Sequence, residues 1–240
     1  MMFCQLSGAE SLREIADGLY SSIGKLNHLG ANAIRRSSLS YVNQHRDYHV
    51  YEDFYYGLLE YFRSELTGAR AKPICTDKKI FSLDSTTIGL CLKLFDWARF
   101  RTTKGGIKLH TLLDNDTLMP EFVAVSEAAV SDIKAARTLV DIPQNCILAI
   151  DRGYYDFRWY RQLSKRHITF VTRIKENIKL KRVKKILVDK DENWGCYEIT
   201  LQSDETAYEK GRLKVIPKYR LVQWKDKESG RWFEYLTNDF

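Results

Sequence analysis

The sequence lacks any long apolar run. No stretch of its 240 residues approaches the roughly 18 consecutive apolar residues that a membrane-spanning helix needs. The N-terminus also has no basic segment followed by an apolar one, which is the pattern of a secretory signal. These two absences predict a cytoplasmic protein with no membrane partner.

Cysteine and proline are scarce as well. The five cysteines are odd in number, and none is spaced as C-x-x-C or in another metal-ligand pattern, which argues against a disulfide framework and a zinc site and favours a reducing compartment. There are four prolines and no Pro-rich linker, internal repeat or low-complexity tract. We therefore expect the segments of the chain to pack together.

Basic charge is abundant and concentrated in one segment. Twelve Lys and Arg residues and two acids lie between Arg158 and Lys190, so this segment is strongly positive, whereas the whole chain carries a net charge of +7. Phosphate contacts supply most of the sequence-independent affinity of proteins for DNA, so the segment favours a nucleic-acid partner. The alternative at this point is that Lys179 to Lys185 is only a solvated face of a helix or loop.

The hydrophobic pattern divides the chain into three segments. Residues 1–73 carry apolar residues at helical spacing and predict a helical N-terminal region. Residues 74–175 predict three strands in a meander, a helix, a buried strand, a second helix and a final strand. The third segment is residues 176–240, in which residues 190–240 alternate as strands, with a hairpin around residues 227–230. The predicted fold is α/β (mixed α+β): an RNase-H-like core with a mixed sheet, preceded by the helical region and followed by a β-rich insertion.

Two aspartates, Asp84 and Asp151, each follow a short apolar run that is predicted to be a buried strand ending at the acid. A carboxylate in such a place is unfavourable unless a cation neutralises it. Rigid strand ends that each carry an aspartate suit a two-metal site for phosphoryl transfer. The alternative is structural: Asp84 would cap a turn, and Asp151 would pair with Arg152 or cap the next helix.

Other residues of the same segment are expected to have structural roles. Asp114 and Asp116 are predicted to be solvated turn residues, Asp132 a helix N-cap and Asp96 a loop acid. His110, within a predicted strand, is expected to be packed. None of these acids follows a comparably buried run.

Four motifs carry a resemblance to a known family. They are FSLDSTTI at residues 81–88, FDWA at 95–98, GGIKLHT at 105–111 and IDRGYYDF at 150–157. Together they resemble the DDE transposases of the IS4 insertion-sequence family, over nearly the whole chain. Residues 5–30 also resemble the helical N-terminal region of a subgroup of these proteins.

The resemblance implies a metal-dependent DNA transposase that cleaves DNA at terminal repeats and carries out strand transfer. Asp84 would be the first and Asp151 the second acid of the triad, and both would ligate Mg²⁺ (or Mn²⁺). The implied partners are double-stranded DNA, at the element ends and the target, and a second copy in a homodimer within the DNA complex. The implied location is the bacterial cytoplasm, in association with the nucleoid.

The same resemblance suggests which basic residues contact phosphates. The candidates are Arg152 and the basic run that follows the second predicted helix. They are Arg152, Lys179, Lys181, Arg182, Lys184 and Lys185.

The third acid of the family lies in a Y-x2-R-x3-E-x6-K signature after a β-rich insertion, which residues 176–235 fit. No arginine of this chain is followed four positions later by a glutamate. We therefore expect a chain that ends before the third-acid helix and is catalytically inactive or severely impaired. Two rival hypotheses are a non-catalytic DNA-binding remnant and another RNase-H-fold nuclease, such as a junction resolvase.

Overall fold

The structure is a computed structural model. It describes residues 7–66, 76–90, 99–101, 104–175, 178, 180–188, 193–201, 208–209, 212–213 and 218–240. The chain divides into two compact units, Met1–Phe62 and Arg63–Phe240. None of the helices in the described ranges has the length and apolar character needed to cross a membrane.

The first unit is helical, as predicted. Its described helices are α1 (Leu12–Ser21), α2 (Ile23–Leu26), a 3₁₀ turn (Asn27–Leu29), α3 (Arg36–His45) and α4 (His49–Leu66), which continues into the second unit. Helix α1 is capped by Ser11: its hydroxyl accepts a hydrogen bond from the Glu14 amide, and the Glu14 carboxylate accepts one from the Glu10 amide.

The second unit is built on a ten-stranded sheet. Its strands are β1 (Ile80–Leu90), β2 (Arg99–Arg101), β3 (Lys104–Asp114), β4 (Met119–Glu127), β5 (Ile147–Ile150), β6 (Thr169–Arg173), β7 (Leu180–Val188), β8 (Trp194–Leu201), β11 (Tyr219–Lys225) and β12 (Trp232–Thr237). Strands β9 (Tyr208–Glu209) and β10 (Arg212–Leu213) form a separate two-stranded ladder. The helical elements are α5 (Asp132–Thr138), a 3₁₀ turn (Arg152–Tyr154) and α6 (Phe157–Lys165).

The core of the sheet has the predicted RNase-H-like order. Strands β1, β3 and β4 form an antiparallel meander, with β3 between the other two. Strand β5 then lies parallel to β1 on one side and to β6 on the other. Helix α5 connects β4 to β5, and α6 connects β5 to β6. The mixed α/β prediction is confirmed.

The β-rich segment continues the same sheet. Strand β12 pairs antiparallel with β6, and β11, β8 and β7 follow in that order. The predicted hairpin is present as β11 and β12. Residues 180–188 form strand β7, so the helix-or-loop interpretation of the basic run is wrong over these residues.

The hydrophobic core lies between the sheet and helices α5 and α6. Leu148 of β5 is fully buried, and the ring of Tyr160 in α6 stacks on Phe170 of β6 with 4.3 Å between ring centroids. Trp159 of α6 is buried in the same core. These aromatic rings therefore stabilise the fold by packing.

Candidate functional site

Asp84 and Asp151 occupy neighbouring positions in the sheet. Strands β1 and β5 run parallel with Leu83 opposite Ile150, so the next residue along each strand direction is an aspartate. Both aspartates are exposed, whereas Leu83 and Ile150 are buried. The fold thus brings together two carboxylates that lie 67 positions apart in sequence.

Strand β1 does not end at Asp84, contrary to the sequence prediction. It continues to Leu90 because its second half pairs with β3, from Ser85 opposite His110 onward. The neighbour β5 does end, at Ile150. Asp84 therefore lies where the parallel partner stops, which leaves its side chain accessible beside Asp151.

Local hydrogen bonds hold each carboxylate. Asp84 Oδ1 accepts a bond from the amide of Ser85, at 2.7 Å. Asp151 caps the 3₁₀ turn that follows β5, and its Oδ1 accepts a bond from the amide of Gly153, at 2.8 Å. The backbone carbonyl of Asp151 also accepts a bond from the Thr172 hydroxyl of β6. The capping role expected as the alternative for Asp151 is thus real, and it leaves the second carboxylate oxygen without a bond among the described residues.

Asp132 lies close to this pair, which the sequence did not predict. The N-cap of α5 is Ser131, and Asp132 is the first residue of the helix, so its N-cap assignment was wrong. Asp132 Oδ1 accepts a hydrogen bond from the hydroxyl of Ser85, the residue after Asp84, at 2.8 Å. In the sequence, Asp132 looks like an ordinary acid in the first turn of a helix. Its position near Asp84 and Asp151 results from the tertiary fold.

Gly153 shows how close Asp132 and Asp151 are. A Cβ atom added at Gly153 would lie 3.0 Å from Asp151 Oδ1 and 3.4 Å from Asp132 Oδ2. Oxygens of the two carboxylates therefore converge on one side of the turn. A glycine at this position leaves room for both.

Lys108 supplies a positive charge to the same region. Its Nζ lies 3.0 Å from Asp132 Oδ1 and also donates to the carbonyl of Val130. The side chains of Lys108 and Asp132 are 14% and 26% exposed, so the pair is largely shielded from water. Burial alone would raise the pKa of Asp132, but the hydrogen bonds from Ser85 and Lys108 and the Lys108 charge outweigh it and lower that pKa.

Two further buried polar residues, Tyr154 and His110, lie in this part of the fold. Tyr154 is 1% exposed. Burial, together with the charges of Asp132, Asp84 and Asp151, raises the pKa of its hydroxyl and outweighs a hydrogen bond with Ser85, which lowers it. His110 of β3 is fully buried, as expected, with Nε2 2.9 Å from the Ser126 hydroxyl, and burial lowers its pKa.

The predicted phosphate-contacting residues are divided between two places. Arg152 directly follows Asp151 and is half-buried. Lys181 and Arg182 lie in β7, opposite Thr200 and Ile199 of β8, and the side chains of Lys184 and Lys185 are exposed. Lys179, like Asp96, lies outside the described residues. Strand β7 is the last strand in the sheet order, far from β1.

The two paired aspartates are suitable ligands for a hard divalent cation. Mg²⁺ is usually held by one or two carboxylates and keeps several of its waters. Within the described ranges, no group of three or more His, Cys, Asp and Glu side chains is arranged to hold a metal ion. The arrangement therefore fits a hydrated cation at Asp84 and Asp151 better than a closed protein cage.

The fold and these acids define an RNase-H-like α/β protein with carboxylates on neighbouring parallel strands. The chain belongs to the transposase DDE domain family, whose model matches residues 76–239. This family generally uses a divalent metal ion. Residues 1–32 match a second family, described as a domain of unknown function (DUF4372).

Curated relatives agree with this family. The chain is 32% identical over 160 residues to the candidate transposase y4zB of Sinorhizobium fredii, which covers 65% of this chain and 43% of that protein. It is 24% identical to the candidate transposase of insertion sequence element IS5377 of Geobacillus stearothermophilus and 26% identical to that of element IS4SA of Synechocystis sp.. These two matches each cover 68% of this chain and 41% and 46% of the relatives. The chain thus matches less than half the length of each relative.

A solved structure is also similar. It is the piggyBac transposase in a cryo-EM structure of its synaptic complex with hairpin DNA, with a TM-score of 0.36 and 10% identity. The likeness covers 68% of this chain and 34% of that chain.

Proposed function

We propose that this chain provides two of the metal-binding acids of a DNA transposase, with Asp84 and Asp151 as the ligands of Mg²⁺ or Mn²⁺. The observation that carries the proposal is the parallel pairing of Leu83 with Ile150, which sets the two aspartates side by side. The substrate class is double-stranded DNA at the ends of the element and at the target. A second copy of the protein in the DNA complex is part of the proposal and rests on family resemblance alone.

In this function the protein supplies position and charge. A divalent ion, when bound, activates the attacking oxygen and stabilises the leaving oxygen of a phosphodiester. The β1–β5 pairing fixes the backbones of Asp84 and Asp151, and the amides of Ser85 and Gly153 fix their carboxylates. Rigid strands hold such acids more precisely than loops do.

Metal binding by the full 240-residue chain tests the proposed ligands. Titration of Mn²⁺, followed by electron paramagnetic resonance of the free ion, should show binding to the unmodified protein. Asp84→Asn and Asp151→Asn should each weaken it by more than about 100-fold, beyond the 10–100-fold that is typical of residues outside the coordination sphere. Glu198→Gln is the matched control, since Glu198 is a half-buried acid paired with Lys218 at 2.8 Å on the distant strand β8. Equal Mn²⁺ affinity in all four proteins would refute the proposal.

DNA binding tests the basic edge strand. The double variant Lys184→Glu/Lys185→Glu should bind duplex DNA more weakly, and the slope of log affinity against log salt should fall by about one for each phosphate contact that the substitutions remove. Lys25→Glu/Lys227→Glu changes the net charge equally at exposed lysines outside the basic segment and should have a smaller effect. Equal weakening in both variants would show that net charge alone is responsible.

The same measurements address the rival hypothesis. A chain that binds duplex DNA but not Mn²⁺, and whose DNA affinity is unchanged by Asp84→Asn, would be a DNA-binding protein without a working metal site. The exposed, adjacent aspartates favour the metal-binding alternative, because packing or capping alone does not require two carboxylates to face solvent together.

A further inference from the structure

We propose that Asp132 is a positioning residue of this metal site, an outer acid whose charge stabilises the hydrated cation held by Asp84 and Asp151 without coordinating it. This inference rests on the proposed function. It concerns a third acid, which comes from helix α5 and not from the sheet.

The first support is the anchoring of Asp132. One oxygen, Oδ1, is held by the Ser85 hydroxyl at 2.8 Å and by Lys108 Nζ at 3.0 Å. Ser85 directly follows Asp84, so this anchor ties α5 to the strand that carries the first proposed ligand. A carboxylate held at two points stays in one orientation.

The second support is the direction of the other oxygen. Asp132 Oδ2 and Asp151 Oδ1 lie 3.4 and 3.0 Å from one point, the place of a Cβ on Gly153. Oδ2 therefore lies on the same side of the turn as the Asp151 carboxylate, one of the two proposed metal ligands. No hydrogen bond to Oδ2 is present within the described part of the chain.

The surroundings of Asp132 favour an outer role over direct coordination of the metal ion. The described acids form no three-membered group with metal-binding geometry, and Lys108 already bonds Asp132. An outer acid needs only to lie near the hydration shell. Residues of this kind typically change metal affinity by about 10–100-fold.

Breaking the Lys108–Asp132 pair from each side separates this role from a structural one. Asp132→Asn removes the negative charge and should weaken Mn²⁺ binding by about tenfold. Lys108→Met removes the same ion pair but leaves the aspartate unpaired, so Mn²⁺ binding should tighten by about threefold or more, because a nearby positive charge is gone. A purely structural ion pair predicts weaker binding in both variants.

A double variant removes the remaining ambiguity. Asp132→Asn alone leaves Lys108 unpaired, which could itself repel the cation. Lys108→Met/Asp132→Asn contains no unpaired charge at this pair and should bind Mn²⁺ about tenfold more weakly than Lys108→Met. Melting curves without metal identify any variant that does not fold. The role of Asp132 can be tested either by comparing Asp132→Asn with Lys108→Met or by comparing the double variant with Lys108→Met, whichever pair folds.

The outcomes separate the two proposals. Mn²⁺ binding that Asp84→Asn abolishes but Asp132→Asn leaves unchanged would overturn the role of Asp132 and leave the proposed function standing. The same holds if Lys108→Met weakens binding as much as Asp132→Asn does. Absence of Mn²⁺ binding by the unmodified chain would instead overturn the proposed function, and this inference with it. Glu198→Gln, which breaks a comparable ion pair on β8, should leave Mn²⁺ affinity unchanged.

Discussion

Gly153 sets how closely the acids around the turn after β5 approach each other. A methyl group at this position would meet the oxygens of Asp151 and Asp132, at 3.0 and 3.4 Å. Both contacts are to side-chain ends, which can rotate away. Gly153→Ala should therefore change the melting temperature little but displace the Asp151 carboxylate and weaken Mn²⁺ binding by about tenfold, as loss of a supporting contact typically does. Mn²⁺ titration and thermal melting of the same samples measure both effects.

Gly57→Ala is the control for this substitution. Gly57 lies within helix α4, and a Cβ there meets nothing within 4 Å. This change should stabilise the helix by about 0.5–1 kcal/mol and leave Mn²⁺ affinity unchanged. Unchanged Mn²⁺ binding in Gly153→Ala would show that the turn tolerates a side chain and that the convergence of the two oxygens has no role in metal binding.

His110 should make the stability of the fold depend on pH. Burial lowers its pKa from the ordinary value near 6.5, so the unfolded chain takes up a proton at a higher pH than the folded chain does. The stabilisation that comes from the neutral His110 ring is therefore fully present above about pH 6.5. As the pH falls below this value, the free energy of unfolding decreases by at most about 1.4 kcal/mol per pH unit. Urea unfolding at pH 7.5 and 5.5 should show lower stability at pH 5.5.

His110→Gln isolates this effect from other titrating groups. Glutamine keeps a polar end group for the Ser126 hydroxyl, which lies 2.9 Å from Nε2, but it does not titrate. The difference in unfolding free energy between the two pH values should be smaller in this variant. An identical pH dependence in both proteins would mean that His110 does not take part.

At the scale of elements, Asn238 joins the end of β12 to two other elements. Its Oδ1 accepts a hydrogen bond from the amide of Phe170 in β6, and its Nδ2 donates to the carbonyl of Ile168 and the hydroxyl of Ser164 in α6. Phe170 and Ile168 are fully buried, so water cannot easily replace the amide. Asn238→Ala should lower the free energy of unfolding by about 2–4 kcal/mol, since each unsatisfied buried group costs about 1–3 kcal/mol.

Urea unfolding of Asn238→Ala and Asp239→Ala compares two adjacent positions. Asp239 is exposed, and its hydrogen bond to the Thr237 hydroxyl uses the backbone amide, which alanine keeps. Its substitution should change stability by less than about 0.5 kcal/mol, as is usual for surface positions. Equal destabilisation in the two variants would indicate general fraying of this segment and would contradict a specific stabilising role for the Asn238 hydrogen bonds.

Strand β1 shows where element prediction from the sequence succeeded and where it did not. The apolar run Ile80–Leu83 correctly predicted a buried strand leading to Asp84. The following Ser85 and Thr86 resembled a turn, yet they continue the strand because β3, more than twenty positions later, pairs with them. Long-range pairing of this kind leaves no local signal, and β-branched residues such as Thr86 fit a strand equally well.

At the scale of the whole molecule, the order of the core elements was predictable because three strand-like apolar runs come first and helical segments then precede each of the two remaining strands. The position of Asp132 was not, since it depends on how α5 packs against β1 and β3. Nor was the attachment of the β-rich segment, which appeared to be an insertion but continues the core sheet through β12 and β6. Both depend on contacts between residues far apart in sequence, which periodicity does not encode.

The division of the chain into two units predicts which part binds metal. Asp84, Asp132 and Asp151, and every hydrogen bond described around them, lie within the unit Arg63–Phe240. A chain of residues 63–240 should therefore bind Mn²⁺ within about twofold of the full chain, because it keeps the three acids and the hydrogen bonds described around them. The same shortened chain with Asp84→Asn is the control and should not bind. A folded 63–240 chain that binds Mn²⁺ much more weakly than the full chain would show that the helical unit contributes to the site.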